Sequence, residues 1–504
     1  MKAIFGNGIG YPSLVAPEPS ASAVVIRQAL EVAALVGLVA AIAAMHLASV
    51  ARPLFVIVAF LMAVRAIRRS PWEYLTLSLW IWSISAFVRR LIDYYGGFQG
   101  QSIVLLTPNV LAVLMIPTLL TSTQLLKRRE TIPGVLLLVP VLCGLAVSFF
   151  KGEIFPGIIA CIDWLIPLLY YFYLIELIPR IHQGEAYFKA FVPLNLGVVG
   201  LYGVYQCFDV PAWDLQWVID VKLFTMASSG LFKVKPFSML NSPGTCAAWV
   251  STLILLSLHF RNRLSVIVLP AGLLFLALTQ VRANLGAVAF GLAIAMFSGH
   301  KQIVKSLLVF IAVMAMVVGI ISALDPRIAD ALVGRFGSVG NLGEDRSAQA
   351  REEFYRSMPD LMEKYPLGLG IGGIGHGAVA GNNGNTDADF VTVDGGPIAI
   401  YLALGWAAGT VYFIGLFVVV GAALLAAKRS RSPPALALAI TALGELATLP
   451  FTNLVGLQGL IIWLPAAYAV AIGAARTTAV DPDYAPRGIS YPPALTPSLP
   501  GGGP

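Results

Sequence analysis

Residues 366–377, PLGLGIGGIGHG, set Gly368, Gly370 and Gly373 in the spacing of a dinucleotide-binding loop and end beside His376. That loop needs a strand before it and a helix after it, within a βαβ unit. Here the preceding stretch is helical in pattern: Phe354, Tyr355, Met358, Leu361, Met362 and Tyr365 recur on one helical face. The polar run NNGNTDAD comes after it. Nucleotide binding is therefore excluded, and the glycines read as a flexible outer turn able to lie against a substrate. Arg351 falls on the apolar stripe one turn before Phe354, where a cation at the edge of an apolar face can meet a lipid phosphate. Arg356 points elsewhere, and Pro359 is expected to kink the helix or start a second one. Asp394 comes where loop passes into helix, so the helix dipole favours its carboxylate, as an N-cap or as a reactive group.

The elements that hold these residues are set by composition. The chain of 504 residues is 58% hydrophobic and 12% charged, with mean hydropathy +0.81. Soluble domains carry roughly 25% charged residues, so a polytopic membrane protein is expected. The net charge of +7 comes from short basic clusters between apolar runs, which is a topology signal rather than a nucleic-acid surface. Cys143, Cys161, Cys207 and Cys246 lie in or beside apolar segments without a C-x-x-C pair and read as buried small residues. Residues 1–23 are polar and carry no cleavable signal pattern.

Apolar runs suggest spans near 24–45, 53–67, 72–88, 103–126, 132–150, 155–178, 188–207, 239–259, 264–280, 282–298, 303–324, 396–427, 435–450 and 454–475. The expected fold is thus all-α, a transmembrane bundle of about 12–14 spans over 24–475, with no internal repeat. A single helix over 264–298 would be about 52 Å long against an apolar layer of about 30 Å, so two spans meeting at QVRAN are expected. Residues 396–427 are also too long for one span, and that helix should start above the bilayer. With the N-terminal segment 1–23 cytoplasmic, inside loops hold Arg65, Arg68, Arg69, Lys127, Arg128, Arg129, Arg180, Lys189, Arg261, Arg263, Lys301, Lys305, Lys428, Arg429 and Arg431. Outside loops hold Arg52, Lys151 and Arg282, with Arg89 and Arg90 as the exception to the rule. Both termini then lie inside, the tail 476–504 is disordered, and loops of about 208–238 and 325–395 lie outside. Asp163 and Glu445 fall inside apolar spans, where a carboxylate is either functional or paired within the bundle.

Four segments in order give the chain a likeness. KVKPFSMLNSPGTCAAWV (233–250) leads into a central span, LALTQVRANLGAVAFGL (276–292) is a span–Arg–span hairpin, SAQAREEFYRSMPDLMEKYPLGLGIG (347–372) is an Arg-bearing helix before Pro-x-Gly-x-Gly, and DGGPIAIYLALGWAAG (394–409) closes on an acidic residue, an aromatic and Gly. Together they resemble the O-antigen ligase and Wzy-type polysaccharide polymerase superfamily of bacterial envelope glycosyltransferases. The resemblance implies a GT-C-like bundle in the inner membrane and a donor glycan on undecaprenyl diphosphate. It implies Arg282 and Arg351 as the cations that hold the diphosphate, with Lys233, Lys235, Arg335 and Arg346 assisting, and Asp394 as the base. Gly370, Gly372 and His376 would line the substrate. Arginine can grip phosphate oxygens bidentately, so no metal or other cofactor is called for. The ligases carry His where this chain has Asp394, and His376 does not match that position, which points to polymerase. The alternatives are the ligase, with lipid A–core as acceptor, and a flippase for the same lipid-linked glycans. A flippase or a chain-length regulator would be the partner proteins of a polymerase. On this reading Arg282→Ala, Arg351→Ala and Asp394→Asn each abolish product at unchanged protein level, and Gly370→Val damages activity; normal polymer from both arginine variants would remove the diphosphate role.

Overall fold

The structure, a computed structural model, describes residues 19–222, 234–298, 346–381, 393 and 395–480, with scattered positions between 305 and 319. Every regular element among them is a helix: α1 (Ala21–Ala44), α2 (Ala48–Arg69), α3 (Pro71–Gly96), α4 (Thr107–Ala112), α5 (Ile116–Thr121), α6 (Ile132–Phe150), α7 (Ile154–Glu176), α8 (Gly184–Phe208), α9 (Ala212–Asp220), α10 (Pro243–Leu256), α11 (Ser265–Thr279), α12 (Arg282–Phe297), α13 (Arg346–Lys364), α14 (Gly375–Gly381), α15 (Gly396–Ser430), α16 (Pro433–Leu446) and α17 (Leu457–Val480). Among the described residues, ten stretches are long and apolar enough to cross a membrane. The protein is an all-α, multi-pass membrane bundle. The candidate span 303–324, apart from those scattered positions, and the tail beyond 480 lie outside the described residues, while 476–480 continue α17.

Starts and stops obey local chemistry. Ser70 caps α3, its Oγ accepting from Trp72 N at 3.2 Å, with Pro71 at the first helical position. Ser242 does the same for α10, accepting from Thr245 N at 3.1 Å ahead of Pro243. The 264–298 stretch divides where expected, with Gln280 left-handed (φ 61°) between α11 and α12. Apolar side chains gain little from leaving lipid, so helices associate through close packing and polar contacts. The α8–α11 seam shows this: a Cβ on Gly200 would lie 3.2 Å from the Gly272 Cα. Pro359 does not break α13, which runs as one helix and lays Met362 into the core.

The other long helix departs from its expected form. α15 spans 35 residues, but Gly405 is non-helical (φ 75°, ψ −174°) and divides it. In an unbroken helix Trp406 N would donate to Leu402 O. Instead Leu402 O accepts from Leu369 N at 2.6 Å, and Trp406 N donates to Pro366 O at 3.0 Å. Gly368 (φ 79°) lies against the break, where a Cβ would be 2.5 Å from Gly405 N. Backbone at positive φ, touched by backbone, admits only glycine at both positions. Gly405→Ala is expected to lower stability by about 3 kcal/mol or more, since the strain alone costs roughly 1–3 kcal/mol. Gly421→Ala, in open space on the same helix, serves as the control and should hold or slightly raise the unfolding temperature in detergent. Equal melting of the two variants would show the break to be relaxed.

Candidate functional site

Docking of residues 366–369 against the break in α15 sets the course of the chain beyond Leu369. Gly370 (φ 83°) leads it onto the α6–α7 hairpin, where Gly372 N donates to Ser148 Oγ at 2.9 Å. A Cβ on Gly370 would sit 2.4 Å from Ser148 Oγ, and one on Gly372 2.7 Å from Gly157 N. Lys151 Nζ, at the α6–α7 turn, donates to Gly368 O at 2.9 Å. These glycines therefore have a different task from the one expected: they permit backbone to lie on helix, and neither Gly370 nor Gly372 lines the cavity that opens beside α7.

That arrangement lays α14 along α7 and brings His376 to Asp163, 213 residues apart in sequence, with Nδ1 to Oδ2 at 2.6 Å. Asp163 is 19% exposed and His376 76% exposed. The Asp163 backbone oxygen also accepts from Gly456 N at 2.8 Å, tying α7 to the loop before α17. The Asp163 carboxylate, by its hydrogen bond first and its charge second, raises the His376 pKa above its ordinary 6.5, against burial, which lowers it. With Nδ1 held by the carboxylate, Nε2 is the nitrogen left to exchange a proton.

The pair stands on the wall of a cavity of about 490 Å³ at the loop end of the bundle, within the range usual for small-molecule sites. Trp82 and Ser85 of α3 contribute, as do Asn109 of α4, Trp164 of α7, Asn241 and Thr245 at the start of α10, and the 453–458 loop. Asn109 Oδ1 and Asn241 Oδ1 are buried acceptors without a protein donor. Trp82 Nε1 donates to Tyr170 OH at 3.0 Å, so its ring is what it offers the cavity. Among the described lining residues Asp163 and His376 are the only ionisable ones.

Arg90 builds one wall. It is fully buried, and its Nε meets Asp214 Oδ1 of α9 at 2.7 Å while its other nitrogens donate to Leu240 O and Ser238 O. Asp214 also accepts from Tyr202 OH at 2.6 Å and Gln206 Nε2 at 2.8 Å, and Gln206 Oε1 accepts from Phe237 N at 2.9 Å and Ser238 N at 2.8 Å. The clamp sets Leu240 and Asn241 on the cavity. Arg89 and Arg52 both bind Asp93, at 3.2 and 2.9 Å. The arginines that broke the charge rule are thus ion-paired inside the protein, Arg90 with Asp214 and Arg89 with an Asp93 that it shares with Arg52.

The remaining expected site residues do not all converge here. Arg282 is the first residue of α12 and Lys235 is half-buried beside Val234; neither lines the cavity. Arg346 and Arg351 lie on α13, whose backbone alone is described at those positions. Lys233, Arg335 and Asp394 lie outside the described residues, although Val393 and Gly396 on either side of Asp394 line the cavity. Glu445 stands apart, fully buried: Ser251 Oγ donates to it at 2.5 Å and Asn284 Nδ2 approaches at 3.4 Å, joining α10, α12 and α16. Compared with known proteins, the sequence matches no family model and no curated protein.

In a titration of histidine-labelled protein by NMR, one of the five histidines should lose its proton above pH 6.5. Asp163→Asn removes both raising causes, so that resonance should move down. A wild-type protein in which every histidine titrates at or below 6.5 would rule the pair out.

Proposed function

We propose that the protein polymerises lipid-linked oligosaccharide repeat units, transferring a glycan from undecaprenyl diphosphate to a sugar hydroxyl on another lipid-linked unit. The observation that carries this reading is the His376–Asp163 pair on the wall of a cavity lined mostly by aliphatic side chains, with a few amides and two indoles among them. Such transfer needs a base for the acceptor hydroxyl and cations for the departing diphosphate. The acceptor O–H gives its proton to His376 Nε2, its oxygen bonds to the anomeric carbon of the donor, and the bond from that carbon to the diphosphate breaks with its electron pair on the phosphate oxygen. Asp163 holds the imidazole in the right tautomer and favours the imidazolium that forms. Arg282 and Arg351 keep their proposed part as diphosphate cations, and Asp394 remains a candidate second carboxylate.

Charge asymmetry supports an outward-facing site in a bacterial inner membrane. The loop ends away from the cavity carry Arg68, Arg69, Arg128, Arg129, Arg261, Lys428 and Arg429, whereas Arg52, Arg89 and Arg90 on the cavity side are paired internally. One observation favours the ligase as a second reading: a histidine stands on the cavity after all, which weakens the argument from Asp394. The test is to size lipid-linked glycans by mass spectrometry in cells lacking the gene. Single repeat units on the carrier are expected. Long polymer stranded on the carrier would assign the ligase instead, and units trapped on the cytoplasmic leaflet would assign a flippase and remove His376 from catalysis.

A further inference from the structure

We propose that residues 366–381 re-enter the membrane as a hairpin, and that His376, near its tip, meets its substrate below the membrane surface, within the leaflet on the cavity's side. This rests on the reading of the protein as a transferase of lipid-linked glycans and specifies where in the membrane the reaction takes place.

Residues 366–381, PLGLGIGGIGHGAVAG, hold no Asp, Glu, Lys or Arg, and His376 is their one polar side chain. Glu363 and Lys364 precede them, and Asn382 and Asn383 follow. The run is shorter than the roughly 20 residues a span requires, and an apolar run of this order suits a segment that enters and leaves on one side. The helices beneath it have no length to spare outside the apolar layer. With 19 residues α6 is about 28 Å long, against a layer of about 30 Å. Beside the α6–α7 turn Phe150 is 92% exposed and Phe155 63%, so the layer must reach the turn to cover them. From that turn the segment runs down the two helices and back. Gly368 O takes the Lys151 ammonium at the turn, Gly370 touches Ser148 and Gly372 touches Gly157. His376 then reaches Asp163, nine residues along α7 from Ile154 and so about 13 Å below it. By Gly381 the chain is back near the top of α7, where a Cβ would lie 3.2 Å from Pro156 Cγ. Non-helical backbone survives at such depth only where protein or a wet cavity covers it and its polar groups are paired. Both conditions hold here. Ile371 and Ile374 are buried in the core, Leu369 N has Leu402 O, Gly372 N has Ser148 Oγ, and Gly373 N has Gly370 O at 3.2 Å. His376 keeps its open side on the cavity.

The test uses the unaltered full chain in lipid nanodiscs, with its five histidines labelled for NMR. Two relaxation agents are compared: a gadolinium chelate dissolved in the water, and a phospholipid carrying a nitroxide near the middle of its acyl chain. His46 is the reference. It is exposed in the α1–α2 turn at the same end of the bundle, where Ala48 packs on Gly96 and Arg52 pairs with Asp93. His46→Ala and His376→Ala serve only to assign the two resonances. The ratio of lipid-borne to water-borne broadening should be severalfold higher at His376 than at His46. A ratio at His376 equal to or below that at His46 would put the segment above the membrane and overturn the proposal. The two readings fail separately. Single repeat units accumulating in cells lacking the gene, with His376 at the level of His46, would sink this inference and keep the polymerase. A deep His376, with normal polymer in those cells, would keep the hairpin and sink the polymerase.

Discussion

Inside an apolar layer every backbone N–H and C=O must find a partner, because no water will serve. The break of α15 at Gly405 would leave Leu402 O and Trp406 N without their helical partners, and the 366–369 segment pairs both. The 366–369 segment is therefore held by the bundle's own need for hydrogen bonds rather than by side-chain affinity alone. The rest of the site depends on that dock. Its direction sets Gly370 and Gly372 on the α6–α7 hairpin, which sets α14 on α7, which sets His376 on Asp163.

The second support of the site is electrostatic. Removing one partner of a buried ion pair leaves an uncompensated charge and costs roughly 3–5 kcal/mol, so the Arg90–Asp214 contact fixes both of its ends firmly. One end is α3 and the other α9, and the 238–240 turn joins them through its carbonyls, which take the rest of the guanidinium. The opposite end of the bundle is held by apolar means: Tyr468 lies 5.4 Å from Trp72 and 5.2 Å from Phe188, ring centre to ring centre. The molecule thus combines a packed aromatic end with a polar, clamped end that surrounds the cavity.

The helices were legible in the sequence because a span must be apolar along its whole length, and the hairpin at QVRAN because helix length is bounded by bilayer thickness. The interruption of α15 was not. Length alone suggested a helix rising above the bilayer, whereas the cause lies in Gly368, a residue 37 positions from Gly405 whose backbone must touch it. The glycine run was separated from nucleotide binding by its context, yet the use of each glycine depends on Ser148 and Gly157, which no local pattern could name. Asp163 was visible as a carboxylate in an apolar span, and His376 as a histidine after a turn, but their meeting is a tertiary fact. Asn109 and Asn241 carry no sequence signal at all: an asparagine stands out only once it is buried without a donor. Arg89 and Arg90 were noticed as a violation of charge asymmetry, and a violation of that kind is a usable sign that the arginine is paired inside.

The Arg90 clamp also bears on how the chain is made. Most of the charges on α3 meet partners already present when it emerges: Glu73 has Arg27 at 2.6 Å, and Asp93 has Arg52 and Arg89. Arg90 does not, because Asp214 comes 124 residues later. While α4 to α8 are being synthesised, α3 carries one guanidinium whose counter-charge does not yet exist. An arginine within a membrane helix costs roughly 2.5–3.5 kcal/mol at its centre on the insertion scale and less towards its ends, enough to keep the end of α3 near water or within the insertion machinery. The cavity wall that Arg90 organises thus cannot close until α9 and the 238–240 turn have been made.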